Sequence, residues 1–574
     1  MDLSPEALAR TLALQNAVRH KGTANAKALI GGMLGAHPEF KERMPELAEL
    51  LERTVKDVNR LTPTEQEAVL RKERPEFDKT EKKEGLKPLP DAKMRAVVLR
   101  FEPSPSGALH IGHAYPFSLN LEYAKMYDGK CMLRIADTNP DNITEEAYTL
   151  LPQDACWLAE CDIEVLIQSS RMELYYSYAR KLIEEGHAYV CECDTEEFKR
   201  LKEKGLACPC RGLSKSEHAK RWRRMGMAQG YAQGAAVVRF KSDITHKNPA
   251  MRDFPLMRIN DSKHPKTGMK YRVWPLMNFS VAIDDLDLGV THTIRAKDHA
   301  DNAKKQALIH ESLGSKTPVA ISVGRINFDG FPMSASKTRA RIEAGEFTGW
   351  DDPRLPFLPA LRRRGYRPEA LRKYAVEVGV TRNDKTVAIE EFFKHIDTLD
   401  KELVDAEAMR YFFVADPVEI IVTGAPEQSL ELDLHPDKKE GGRKFLTHER
   451  FLIARRDLER IAGLRKIRLM ECMTINVQRK KLEKDGEKTG FSFHRKKYDK
   501  AETQAIIHWL PADEDRAELV TVRVLMPDGS VEDGLAERTV ANVKEGAVVQ
   551  FERFGFCRYD HHDGERHVFY YGHR

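Results

Sequence analysis

The chain has no apolar stretch long enough to cross a bilayer and no short apolar core of the kind that opens a secretory signal. Its 574 residues, 41% hydrophobic and 32% charged, are therefore expected to belong to a cytoplasmic protein with no membrane partner. Cysteine is scarce and odd in number, and nine thiols in so long a chain argue against a disulfide framework. An excess of one charge sign is missing too. With 93 Lys and Arg against 89 Asp and Glu, the formal net charge is only +4, which neither demands nor excludes nucleic acid. Internal repeats and low-complexity tracts are absent, which sets aside solenoids and arrays. The length exceeds what one core holds, so several domains are expected.

Residues 1–95 are expected to form a helical N-terminal appendix and linker. Leu47, Leu50, Leu51, Val55, Val58 and Leu61 recur at helical spacing, Ser4 stands as N-cap before Pro5, and the lysine-rich stretch 74–93 reads as the linker. From residue 96 the pattern changes. MRAVVLRF (94–101) reads as a buried strand, AYPFSLNLEYAKMYDG (114–129) as a helix stopped by Gly129, and KCMLRIAD (130–137) as a second strand. RMELYYSYARKLIEEG (171–186) follows as a helix with Met172, Tyr175, Ala179 and Leu182 on one face. This alternation predicts a doubly wound, Rossmann-type sheet, with a first half at 96–190, an insertion at 191–289 and a second half at 290–340. Residues 341–410 read as a helical region, broken at Gly365 and Pro368. Beyond Pro417 the period drops to two, in SLELDLH and VTVRV, with turns at PDGS and HHDGE. Residues 411–574 are accordingly expected to be all-β, one or two barrels.

PSPSGALHIGHAYPFS (103–118) joins the first strand to the first helix of that sheet. A strand-to-helix turn aims unpaired backbone N–H groups and a positive helix end above the sheet, where an anion, above all a phosphate, is stabilised. His110 and His113 sit there as hydrogen-bond donors to such an anion.

Set beside FPMSASKTR (331–339) and GWDDPRLPFLPALRRRG (349–365), the stretch LRFEPSPSGALHIGHA (99–114) resembles the class I aminoacyl-tRNA synthetases of the glutamyl/glutaminyl group, and within it the archaeal-type glutamyl enzymes. The likeness runs over residues 96–574, including AIIHWLPA and VVQFERFGFCRYD, which are similar to strands of the C-terminal barrels of that group. It implies a glutamate–tRNA ligase that uses ATP and Mg2+, forms glutamyl adenylate and transfers glutamate to the terminal adenosine of tRNA(Glu). Charging of tRNA(Gln) as well, with a partner amidotransferase, stays open. A monomer is expected.

By the same resemblance, Ser106, Gly107, His110, Gly112 and His113 belong to the ATP site together with Met333, Ser334, Ser336 and Lys337 of the second motif. His110, His113 and Lys337 are the expected catalytic groups. In the family a loop of the KMSKS type neutralises the departing pyrophosphate; here Ala335 stands at its second lysine, and Lys337, with Arg339 nearby, is left for that task. Glutamate is expected to meet Arg100, Ser104, Asp137, Met277, Asn278 and Arg295. Arg295 matters most, because glutaminyl enzymes carry an uncharged residue there, and a guanidinium matched to a side-chain carboxylate is left unpaired by glutamine. Ala136 replaces an acidic residue and Met277 a tyrosine of many relatives, with Asp137 or Asn278 as candidate replacements at the ammonium subsite.

Cys191, Cys193, Cys208 and Cys210 form two Cys-x-Cys hooks suited to a closed, structural zinc site, with four reduced, metal-free thiols as the competing reading. The remaining cysteines, Cys131, Cys156, Cys161, Cys472 and Cys557, read as core residues. QRKKLEKDGEKTGFSFHRKKYDK (478–500) interleaves Phe491, Phe493 and Tyr498 with Arg479, Lys480, Arg495 and Lys496, and Arg362, Arg363 and Arg364 form a second basic cluster. Both are candidates for tRNA contact. Two rivals remain at this stage: a glutaminyl-tRNA synthetase, which Arg295 opposes, and a catalytically silent tRNA-binding paralogue, which Ala136 and Ala335 keep in view.

Overall fold

The computed structural model describes residues 4–19, 22–73, 85–482, 486–513 and 518–574, in two compact units, Met1–Lys87 and Pro88–Arg574. The first holds helices α1 (Pro5–Arg19), α2 (Ala26–Ala36), α3 (Met44–Val58) and α4 (Pro63–Glu73). Ser4 accepts the Ala7 N–H at 3.3 Å at the start of α1, and Asn25 caps α2 through the Lys27 N–H at 3.0 Å. Ala13, Leu14, Met33, Leu47, Leu51 and Val58 form an apolar core of the unit's own, with Leu50, Val55 and Leu61 packed at its edge. Most of the expected linker, 74–84, lies outside the described residues.

The second unit opens with β1 (Val98–Phe101), α5 (Ile111–Met126), β2 (Lys130–Ile135), α6 (Ala147–Ala159), β3 (Glu164–Ile167) and α7 (Met172–Glu185). The three strands are parallel, in the order β1-β2-β3. On α7, Met172, Tyr175, Ala179 and Leu182 are all buried. The chain then leaves the sheet through β4 (Ala188–Cys191), α8 (Thr195–Glu203), α9 (Lys215–Gly226), β5 (Val237–Phe240), β6 (Pro255–Ile259) and β7 (Val273–Pro275), whose strands make a four-stranded antiparallel sheet. Helix α10 (Met277–Asp287) brings it back to β8 (His292–Ala296), α11 (Ala300–Ser312) and β9 (Val319–Val323). β8 and β9 are parallel, and the Thr291 N–H donates to the Val98 carbonyl at 3.0 Å, which sets β8 beside β1.

β10 (Ile326–Asp329), α12 (Ala335–Glu343), α13 (Leu358–Arg364), α14 (Pro368–Val378), β11 (Lys385–Ala388) and α15 (Ile389–Val404) follow. Gly365 ends α13 at φ 92°, the left-handed position that glycine takes without strain, and Pro368 opens α14. β11 departs from the helical expectation for this region: it pairs in parallel with β10, so a tertiary partner sets its conformation.

Beyond residue 409 lie two seven-stranded sheets and a separate hairpin of Gln428–His435 with Lys438–Thr447. Phe412 and Phe413 are neighbours in sequence but enter different cores, one with Ile453, Ile475 and Trp509, the other with Val522, Phe551 and Phe569. Side chains alternate along extended backbone, so one short segment feeds both cores. Among the described residues no helix is long and apolar enough to cross a membrane.

Candidate active site

Arg100 and Glu102 at the end of β1, Arg134 on β2 and Arg295 on β8 all reach the carboxyl edge of the parallel strands, where such sheets bind ligands. They line a cavity of about 560 Å³, together with Ser104, Ser106, His113 and Met277. Of the residues singled out in the sequence, Arg100, Ser104, Ser106, His113, Met277 and Arg295 thus meet in one place.

A network of buried charges forms one wall. The Arg100 guanidinium is fully buried and grips both oxygens of Asp285, donating to Oδ2 at 2.8 Å. Arg134 donates to Asp284 Oδ2 at 2.9 Å and also to Glu102. Arg295, 9% exposed, donates from Nη1 to Glu102 Oε1 at 3.0 Å and from Nη2 to Gln306 Oε1 at 2.6 Å. Burial pushes the Glu102 carboxyl up, but Arg100, Arg134 and Arg295 together outweigh it and hold the group ionised, far below the usual carboxylate range. Asp284, also bonded by Gln168 at 3.0 Å, Tyr175 at 2.8 Å and Arg171 at 2.8 Å, and Asp285 are consecutive residues of α10, so this one helix anchors three arginines. Sequence reasoning missed Glu102, Arg134, Asp284 and Asp285. The available signal was charge inside apolar runs, VVLRFE and MLRIAD, where an unpaired charge is costly.

The turn into α5 is held from several sides. His110 is its N-cap: Nδ1 accepts the Gly112 N–H at 3.1 Å, while Nδ1 of His113 takes the His110 N–H at 3.4 Å. With Nδ1 occupied as acceptor, each neutral ring carries its proton on Nε2, the donor a phosphate oxygen requires. Burial lowers both histidines, His113 to about 4 and His110 well below 6.5, the latter also through His113. A Cβ on Gly112 would stand 3.0 Å from the His110 ring, and one on Gly107, at φ 147°, 2.4 Å from the Trp350 indole. The third motif braces this turn: Ile111 donates to the Pro356 carbonyl at 3.1 Å, and Leu358 to that of Leu109 at 2.8 Å.

Met333 packs against the core that also holds Leu109, Ile111 and Phe328. Ser334 caps α12, accepting the Lys337 N–H at 3.5 Å, and lies 3.4 Å from Ser336 Oγ, while Lys337 is exposed on the first turn. Arg339 is engaged with Thr144. None of these second-motif residues is among those lining the cavity.

Several expectations are corrected. Asp137 is fully buried and is not among the residues lining the cavity: its carboxylate accepts the Ser169 N–H and hydroxyl and the Tyr148 hydroxyl, each at 2.7 Å, so it is spent on the fold rather than presented to a substrate ammonium. Asn278 follows Met277 on α10 and does not line the cavity either. Phe491 is core, which removes its ring from base stacking, and Phe493, half-buried, packs one side against the same core. Arg363 pairs with Asp351 and Asp560 at 2.9 and 3.1 Å, and Arg364 donates to the carbonyls of Tyr571 and Gly572; both tie α13 to the C-terminal sheet. Arg495 pairs with Asp499 and Glu502 at 2.9 Å, whereas Lys496 and Tyr498 are exposed and Arg362 is half-buried. Arg479 and Lys480 lie on the strand Met473–Leu482, opposite Thr489 and Lys488, with side chains outside those described. Cys161 is exposed rather than core, Cys131 and Cys156 are intermediate, and Cys472 and Cys557 are buried.

The paired hooks converge. Cys191 and Cys208 have sulfurs 3.9 Å apart, Cys193 and Cys210 3.7 Å, and the ligand atoms of Cys191, Cys193 and Cys208 all fall within 4.8 Å of one another. Arg221 and the Glu192 N–H point at Cys210 Sγ from 3.4 and 3.5 Å, the donors that stabilise thiolate ligands.

A parallel sheet with a histidine-capped strand-to-helix turn and an arginine-walled cavity at its carboxyl edge is the arrangement in which doubly wound α/β proteins bind nucleotides and other anions. The chain belongs to the class I tRNA synthetases of the E and Q group: residues 96–402 match the model of their catalytic domain, and 408–496 and 506–560 those of their anti-codon binding domains. Its relatives include the glutamate–tRNA ligase of Methanothermobacter marburgensis, 44% identical over 99% of this chain and 100% of that one. The glutamate–tRNA ligase of Pyrococcus abyssi is 42% identical over 99% and 100%. A solved glutamate tRNA ligase from Elizabethkingia meningosepticum, in complex with its amino acid, is 18% identical with a TM-score of 0.39, covering 55% of this chain and 70% of that chain.

Proposed function

We propose that this chain is an ATP-dependent glutamate–tRNA ligase acting on tRNA(Glu). One observation carries the choice of amino acid: the Arg295 guanidinium, itself mostly buried, lies on the wall of the cavity, within reach of a substrate's side-chain acid. There glutamate gains a charge-assisted pair, while uncharged glutamine gains none and leaves the guanidinium on Glu102 and Gln306. The glutamate α-carboxylate attacks the α-phosphorus of ATP and pyrophosphate departs. In the second step a ribose hydroxyl of the terminal adenosine attacks the acyl carbon and AMP leaves. Nε2–H of His110 and His113 donates to phosphate oxygens as charge builds up, and Lys337 closes on the outgoing pyrophosphate. Mg2+ enters on the phosphates of ATP. Among the described residues that line the cavity the one carboxylate, Glu102, is held by three guanidiniums, so the phosphates would be the ion's main ligands there.

The two seven-stranded sheets are read as barrels that bind the anticodon, with Lys496 and Tyr498 on the exposed side. The cysteines fit a zinc ion that locks the inserted sheet: Cys191, Cys193 and Cys208 converge, and Cys210, 3.7 Å from Cys193, would supply the fourth thiolate of a closed site. The test is ATP–pyrophosphate exchange with tRNA(Glu) present. Exchange with glutamate and little with glutamine is expected. Exchange with glutamine alone would make the chain a glutaminyl enzyme, and tRNA binding without any exchange would make it a silent paralogue.

A further inference from the structure

Arginines 100, 134, 258 and 295 line the cavity, and among the described residues that line it there is a single carboxylate, Glu102. Two of these arginines have partners deeper in the wall, Arg100 on Asp285 and Arg134 on Asp284. Arg295 is different. The acidic group in ion-pair contact with it is Glu102, at 3.0 Å, and its other terminal nitrogen meets the neutral amide of Gln306. Glu102 Oε2 is shared by Arg134 and Arg100, leaving Oε1 on Arg295. Asp284 also holds Arg171, which pairs in turn with Asp287, so the four guanidiniums of this wall, Arg100, Arg134, Arg171 and Arg295, face the four carboxylates Glu102, Asp284, Asp285 and Asp287, while Arg258 donates to the neutral Asn139; Arg295 itself is matched by Glu102 before any substrate enters. A substrate that brings a side-chain carboxylate to Arg295 adds an anion where Glu102 already supplies one, and in a poorly screened site two carboxylates across one guanidinium repel. A carboxamide meets no such repulsion, and its N–H has an acceptor in Glu102 Oε1.

We infer that Glu102 is a specificity-determining residue, an internal carboxylate that shares Arg295 with the substrate's side-chain acid and so limits affinity for glutamate and narrows the margin over glutamine. This rests on the role of Arg295 given above. Glu102 and Arg295 then work in opposite senses, one as attraction for the acid and the other as a graded restraint on it.

The experiment is ATP–pyrophosphate exchange with tRNA(Glu), titrating glutamate and glutamine separately for wild type, Glu102→Gln, Glu102→Asp and Arg295→Gln. Glu102→Gln, near-isosteric and uncharged, is expected to lower KM for glutamate roughly 3- to 10-fold and to raise the glutamate-to-glutamine ratio of kcat/KM by about tenfold, as loss of one unit repulsion predicts. Glu102→Asp, which keeps the charge but draws it back from Arg295, falls between wild type and Glu102→Gln, and serves if the Gln variant fails to fold by circular dichroism. If both variants leave KM for glutamate unchanged or raised, with the ratio unchanged or lower, Glu102 only scaffolds the arginines and the inference is overturned. Arg295→Gln separates the two claims. If it leaves the ratio at the wild-type value, the reading of Arg295 itself fails; if it collapses the ratio while Glu102→Gln does not raise it, only the inference about Glu102 fails.

Discussion

The imidazoles of His110 and His113 lie face to face, their centroids 3.8 Å apart and their planes inclined by 20°. Two histidines so stacked and buried stay neutral, and with Nδ1 committed to the backbone at the entry to α5 they present paired Nε2–H donors. His110→Ala removes a donor that acts on developing charge. The expected loss in adenylate formation is about 10²- to 10³-fold, with KM for glutamate changed far less, as for deletion of one oxyanion donor. Single-turnover adenylate formation checks it, and a loss confined to KM would contradict it.

Asp285 acts through Arg100. Asp285→Ala leaves a buried guanidinium with Glu102 as its remaining ion pair, and breaking such a pair from one side costs about 3–5 kcal/mol. A lower thermal midpoint is expected, together with a KM for glutamate raised at least about tenfold through loss of the arginine's position. Thermal denaturation and exchange kinetics on the same preparation measure both.

The cysteine hooks predict one zinc per chain by elemental analysis. Removal by a chelator should lower the thermal midpoint and release thiols to a colorimetric reagent, and Cys208→Ser should purify with substoichiometric metal. A metal-free wild type with an unchanged midpoint after chelation would show four reduced thiols instead.

Acid should destabilise the fold between pH 6.5 and 4. Burial holds His113 and His508 at about 4, against 6.5 for a free imidazole. Between those values the unfolded chain binds more protons than the folded one, so stability falls as pH drops through that window and neither group adds slope above pH 7. His508→Leu should flatten the midpoint-against-pH curve from 6.5 to 4, measured at constant ionic strength.

What was legible in the sequence was local. The caps at Ser4 and Gly365, the helix face of Met172, Tyr175, Ala179 and Leu182, and the strand-turn-helix around His110 depend on neighbours a few residues away. Arg100 and Asp285 are 185 residues apart, and Arg134 and Asp284 150, so the wall that positions the arginines could not be read from spacing. Asp137 drew attention as a carboxylate beside Ala136, yet alternation along extended backbone keeps it out of the cavity lining and on the hydroxyls of Ser169 and Tyr148. The same rule explains Phe491 and Phe493: two residues apart on one strand, they share a face, and that face packs on the core. Their basic neighbours suggested RNA contact because composition does not reveal which face of a strand is outside.

The most direct test of the whole account is the preference of Arg295→Gln between glutamate and glutamine, measured by pyrophosphate exchange with tRNA(Glu) bound. With the buried partner of the side-chain acid gone, a loss of about 10²- to 10³-fold in kcat/KM for glutamate is predicted, with little or no loss for glutamine, at 1.36 kcal/mol per tenfold. Equal losses for the two amino acids, or none for either, would contradict it.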